Sequence, residues 1–155
     1  MLLRVIFLCF IIGLASKKKY IEGICFEVLD GDTIILNDHR IRLFGVDSPE
    51  LSQKNFDGKA IGKRAKIFLE QIILNKKIKV KIIGEDIYHR SLGIIYLDEV
   101  DINKELLLQG YAVVYGNHLS NGYLLAQKDA WLNKRGIFAS SGFYNPRFYR
   151  LNNKN

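Results

Sequence analysis

Residues 30–50 read DGDTIILNDHRIRLFGVDSPE. The alternation of apolar and polar residues across this stretch decides the fold. Thr33 to Leu36 and His39 to Phe44 have strand character, and Asn37-Asp38 between them suits a tight two-residue turn. Such a turn sets the register: facing positions sum to about 75, so Thr33 lies opposite Arg42. Ile41 and Leu43 then point to one face, and Arg40 and Arg42 point away from it. Asp32 opens the first strand and Asp47 follows the second, so the hairpin places Asp32 and Arg42 close together.

Upstream of this stretch, YIEGICFEVL (20–29) reads as another strand. A helix is predicted over roughly 58–74, because Ile61, Ala65, Phe68, Leu69 and Ile72 share one helical face. KKIKVKIIG (76–84) alternates Ile78, Val80 and Ile82 with lysines, a half-buried strand with a basic outer face. That lysine row suits a nucleic-acid track and a plain solvated face equally well. SLGIIYL (91–97) is a further strand, followed by an Asp98-Glu99 turn. DINKELLLQG (101–110) is a short helix capped by Asp101 and stopped by Gly110. A last helix spans about 122–135, with Leu124, Leu125, Trp131 and Leu132 as its packing side. Five short strands with inserted helices fit an α+β fold, a five-stranded OB-type Greek-key barrel with about three α-helices. Other α+β arrangements share this periodicity.

The 155 residues suit one domain, and 48% hydrophobic content supplies a core. A formal net charge of +7 favours a polyanionic partner: nucleic acid, an anionic membrane or an acidic polymer. Residues 1–16, MLLRVIFLCFIIGLAS, are apolar except for Arg4, and KKK follows. Gly13 and Ala15 supply the small residues of a signal-peptidase site, so a cleaved export signal is expected. The alternative is an uncleaved membrane anchor. Either way the protein is expected outside the cytoplasm: secreted, periplasmic or membrane-anchored. Removing that segment leaves Cys25 alone, so no internal disulfide is expected. The domain is expected over 20–145, as a monomer, with 146–155 a polar tail.

The acids of LDGDT and GVDSPE need a partner. Two carboxylates about 5 Å apart repel by about 3 kcal/mol at an effective dielectric of 20. Protonation, an intervening arginine or a metal relieves that repulsion. An irregular all-oxygen set suits a hard cation, calcium better than magnesium.

The ordered motifs DGDT, IRLFGVDSPE and YHR, followed by INKELLLQGYA and KRGIF, resemble the staphylococcal nuclease (thermonuclease) family from about Ile21 to Gly136. The resemblance implies an OB-fold, Ca2+-dependent phosphodiesterase that cuts DNA and RNA and leaves 3′-phosphate ends. It implies that Asp32 and Asp47 bind the metal through side chains and Ser48 through its carbonyl, supported by Thr33. It makes Arg42 and Arg90 the phosphate grips and Glu50 the group that activates or orients the attacking water. Tyr88 and Tyr115 stand where family tyrosines pack near the bound nucleotide. The chain departs from the family at His89, where a glycine is usual, and at Ile87, where some members carry a lysine. A residue other than glycine at position 89 bears a cost if that position needs positive φ. Two rival readings remain: a non-catalytic OB-fold nucleic-acid-binding module, and a surface adhesion protein for acidic polymers.

Overall fold

A computed structural model describes residues 20–116, 121–139, 142 and 145–153. The expected hairpin is present as β3 (Thr33–Leu36) and β4 (His39–Leu43), joined by Asn37 at φ 49° and Asp38 at φ 64°. Both turn residues take the left-handed conformation, which matches the twist of the flanking strands. Thr33 pairs with Arg42 and Ile34 with Ile41, the register the turn arithmetic demands.

The strand expected over 20–29 is two strands, β1 (Tyr20–Ile24) and β2 (Glu27–Asp30). They separate at Cys25-Phe26, where Cys25 exchanges backbone hydrogen bonds with Asn75 and Lys76 at 2.7 and 3.0 Å. With β6 (Lys77–Glu85) and β7 (Ser91–Leu97), the strands run in the order β1-β6-β7-β4-β3-β2. Since β1 and β2 are consecutive in the chain, the two ends of this path meet in one bent strand. The sheet thus curls back on itself as the expected five-stranded barrel. The β4–β7 pair is parallel and the other pairs are antiparallel. Two short strands, β5 (Val46–Asp47) and β9 (Val113–Val114), pair beside the barrel, and β8 (Val100–Asp101) folds back antiparallel on the end of β7.

The barrel interior is filled by Ile34, Leu36, Ile41, Leu43, Val80 and Ile95. Leu69 and Ile73 of α1 (Ile61–Ile73) and Leu106 and Leu107 of α2 (Ile102–Leu108) join them. Asp101 caps α2 by accepting the Lys104 N–H at 2.9 Å. Asn103, fully buried, accepts the Ile95 N–H and donates to the Phe44 and Gly93 carbonyls at 2.9–3.0 Å, tying α2 to β7 and to the end of β4.

Two of these expectations differ from the structure. α3 (Asn121–Leu132) packs through Tyr123, Ala126 and Ala130, while Leu125, Trp131 and Leu132 are 61–64% exposed and Leu124 is 40% exposed. Apolar residues lie all round this helix, so periodicity does not choose a face; the small alanines allow close approach and win. The tail expected at 146–155 forms a fourth helix among the described residues, α4 (Pro146–Asn152), begun by Asn145 as cap and Pro146 at the first position. Of the lysines of β6, Lys77 is 72% exposed and lies 3.3 Å from Glu22 of β1, and Lys79 sits 4.8 Å over the Tyr20 ring. The N-terminal segment 1–16 lies outside the described residues. Among the described residues no helix is long and apolar enough to cross a membrane.

Candidate functional site

The site begins in the turn between β2 and β3. Asp30 turns its carboxylate back to accept the Asp32 N–H at 3.0 Å, which makes it a structural residue of the turn. Burial pushes the Asp30 carboxyl above its ordinary value, against the Thr33 hydroxyl and the charges of Arg42 and Arg40. A Cβ on Gly31 would strike Ser48 and Ala65, so glycine here lets the turn close on the neighbouring segment.

Asp32 and Asp47 are 4% and 1% exposed, and a buried carboxylate needs compensation at every oxygen. Asp32 Oδ1 accepts from the Thr33 hydroxyl at 3.2 Å and pairs with Nη1 of Arg42. Its Oδ2 accepts the Ser48 N–H at 2.7 Å. Nη2 of Arg42 reaches Asp47 Oδ1 at 2.9 Å. One guanidinium thus spans both acids, which explains how two negative groups are held together in a buried place. Asp47 is positioned by the β5–β9 ladder, where it pairs with Val113.

Glu50 is held from behind. Its N–H donates to Gln53 Oε1 at 3.2 Å, and its carbonyl accepts the Gln53 N–H at 2.8 Å. Gln53 is fully buried, although composition marks the loop 51–59 as exposed. Gly62 in α1 touches the same place: a Cβ there would collide with the Glu50 carbonyl. The helix therefore sets the height of the Glu50 backbone, while its side chain stays 45% exposed.

The sequence reading missed Arg150. From α4 it donates to Glu50 Oε1 at 2.9 Å and to Asp47 Oδ2 at 2.8 Å, the latter 103 residues distant in the chain. Tyr149 adds a hydroxyl contact to Ser52 at 3.2 Å. The Asn145-Pro146 start was the available signal for a helix, but nothing local says where that helix docks.

Asp32, Thr33, Arg42, Asp47, Ser48 and Glu50 thus form one contact network, with Arg150. Tyr115 borders it: its N–H bonds the Gly45 carbonyl at 3.0 Å, beside β5, and its side chain is 51% exposed. Arg90 and Tyr88 form a second cluster. Arg90 Nε donates to Asp86 Oδ2 at 2.7 Å, and its guanidinium lies 5.6 Å from the Tyr88 ring centre. Burial would raise the Asp86 carboxyl, but the Arg90 N–H and side chain outweigh it and hold the group below its ordinary value. The β4–β7 ladder pairs Ile41 with Ser91, which sets Arg90 next to the strand that carries Arg42. His89 has φ 59°, the left-handed conformation for which glycine is the easy residue, and its ring lies 2.7 Å from Glu85.

Among the described residues no three His, Cys, Asp or Glu side chains converge as a metal cage. The available set is two buried carboxylates beside Ser48, all hard oxygen donors. This fits an oxygen-loving cation whose other ligands are backbone carbonyl and water.

A family model described as staphylococcal nuclease homologue matches residues 40–140. The chain is 29% identical over 134 residues to a protein of Haemophilus influenzae named uncharacterized endonuclease, covering 83% of this chain and 72% of that one. It is 31% identical over 126 residues to a probable staphylococcal-like nuclease of Oryza sativa subsp. japonica, covering 81% of this chain and 36% of the relative. A thermonuclease of Staphylococcus intermedius is 35% identical over 92 residues, 56% of this chain and 55% of the relative. The chain thus spans about a third of the rice relative's length and about half of the staphylococcal one's.

Proposed function

The chain belongs to the staphylococcal nuclease family, and from that premise we propose that it is a Ca2+-dependent nuclease hydrolysing phosphodiester bonds of DNA and RNA. Little sequence specificity is expected, because its charged groups address phosphate, which carries no base information. The observation that carries this reading is the Arg42 guanidinium spanning the buried pair Asp32 and Asp47. Glu50 belongs to the same network, through Arg150.

Asp32 and Asp47 would hold the calcium through their side chains and Ser48 through its carbonyl. When bound, the cation supplies charge neutralisation at the phosphate and a lowered pKa for a coordinated water. Beyond the two N–H groups that meet Asp32 and Asp47, the Arg42 guanidinium carries further N–H donors, and these would meet phosphate oxygens on which charge accumulates as the nucleophile adds. Arg90, held through its Nε by Asp86, supplies a second guanidinium. Glu50 takes or orients the proton of the attacking water from an exposed carboxylate on a fixed backbone. Water adds to phosphorus as the bond to the 5′ oxygen breaks; that oxygen takes a proton from solvent and departs as a 5′ hydroxyl, and the phosphate stays on the 3′ side. Tyr88 and Tyr115, both exposed aromatics, offer stacking surfaces to the bases on either side. Export on residues 1–16 belongs to the same proposal and is supported by the apolar run before Lys17.

One gel tests the activity. Purified protein is incubated with plasmid in calcium, magnesium or chelator, beside Glu50→Gln and Asp32→Asn. Calcium-dependent smearing by the wild type alone supports the reading. Binding without cutting turns it toward a non-catalytic OB-fold module, and equal cutting by all three proteins points to a contaminant.

A further inference from the structure

Every oxygen of the two buried carboxylates is already engaged. Asp32 Oδ1 meets Arg42 and Thr33, and Asp32 Oδ2 meets the Ser48 N–H. Asp47 Oδ1 meets Arg42, and Asp47 Oδ2 meets Arg150. Guanidinium groups donate and cannot coordinate a cation. A divalent ion resting on Asp47 shares a carboxylate oxygen with an arginine, and the repulsion between the two cations at that distance favours departure of the guanidinium.

The two arginines are not held equally. Arg42 lies in the barrel wall, on a strand paired on both sides, and its side chain is 15% exposed. Arg150 is 34% exposed and stands on the seven-residue α4, of which only Pro146 is buried. Phe148 and Leu151 of that helix are 61% and 56% exposed, so among the described residues α4 turns much of its apolar surface to solvent. Its contacts with the site include Arg150 to Asp47 and Glu50, and Tyr149 to Ser52.

We propose that Arg150 is the internal counter-ion of this site: it holds the Asp47 oxygen that the metal takes, and metal entry releases α4. The inference rests on the reading of Asp32 and Asp47 as metal ligands. Before the metal arrives, two guanidiniums offset the buried carboxylates and keep them from repelling one another. When the metal arrives, one guanidinium becomes surplus, and the more exposed one, on α4, is the one that leaves. The same departure uncovers Glu50 Oε1, so the metal ligand and the water-activating acid become available together. Arg150 thereby sets the calcium concentration at which the site assembles.

The test needs no substrate. Calorimetric titration of calcium into the full-length protein is compared with Arg150→Ala and Arg150→Lys, and hydrogen exchange of residues 146–152 is followed with and without calcium. A parked form populated about nine-tenths of the time weakens binding about tenfold, so Arg150→Ala binds calcium about tenfold more tightly. Arg150→Lys, which keeps charge without the fork, falls between. In the wild type, calcium speeds exchange of the α4 amides. Equal or weaker calcium binding by Arg150→Ala, with α4 exchange unchanged by calcium, overturns the inference and leaves the nuclease reading standing. Absence of calcium binding by all three proteins overturns both.

Discussion

Nη2 of Arg42 lies 2.9 Å from Asp47 Oδ1 while the other arm of the same guanidinium pairs with Asp32. A single side chain therefore joins the end of β4, the β2–β3 turn and β5. Arg42→Lys keeps the charge but loses the planar fork, so it cannot span both acids. Removal of such a donor costs about 10²–10³ in rate. Turnover of a short single-stranded substrate measures it; retention of more than a tenth of the activity would remove Arg42 from the phosphate-binding role.

Glu50 and Asp32 are expected to separate chemistry from metal binding. Glu50→Gln keeps the backbone bonds to Gln53 and removes the proton acceptor, with a loss of about 10²–10⁴ in kcat. Calcium binding by this variant persists in calorimetry. Asp32→Asn loses both. A Glu50→Gln protein that no longer binds calcium would make Glu50 a metal ligand.

Asp101 predicts a pH dependence of stability. Burial raises its folded pKa, and the Lys104 N–H and Tyr123 hydroxyl offset only part of that rise. From an unfolded value of about 3.9 up to the folded value, the folded state keeps a proton that the unfolded chain has released, so stability falls as pH rises through this window. Tyr123 feels the same carboxylate: burial, then Asp101, pushes its phenol up. Asp101→Asn keeps an oxygen for both donors and removes the titration. Urea denaturation should find it more stable than wild type at about pH 7, with the gap narrowing toward about pH 4. A gap that widens on acidification contradicts this.

His89 carries a left-handed backbone with φ 59°. Relief of that conformation is worth about 1–2 kcal/mol, less the entropy glycine adds to the unfolded chain. His89→Gly is therefore expected to be neutral or stabilising by up to about 1 kcal/mol, at the expense of the Glu85 contact. A loss of stability greater than about 1 kcal/mol would show that the Glu85 contact outweighs the strain.

The register of the β3–β4 hairpin was legible because Asn37-Asp38 admits one tight turn, and a turn of known length leaves no freedom in which residues face. Thr33 therefore meets Arg42 as the arithmetic requires. The cap at Asp101 and the core face of α1 were legible for a similar reason, since each depends on residues a few positions apart. Trp131 was misread because the pattern of α3 is apolar on more than one side, and only the surface it meets selects Tyr123, Ala126 and Ala130. The division of the first strand at Cys25-Phe26 is equally non-local: it follows from closing the barrel, which asks one strand to serve both edges.

By itself the sequence determined the local geometry: turns, caps, strand register and the order of acids and arginines along the chain. These follow from φ and ψ preferences and side-chain periods that act over a few residues. Only the tertiary structure decided that Gly62 sets the backbone of Glu50, that α3 leaves Trp131 exposed, and that Arg150 closes on Asp47 from 103 residues away. Those contacts depend on where whole elements pack, and packing is settled by shape and charge across the fold.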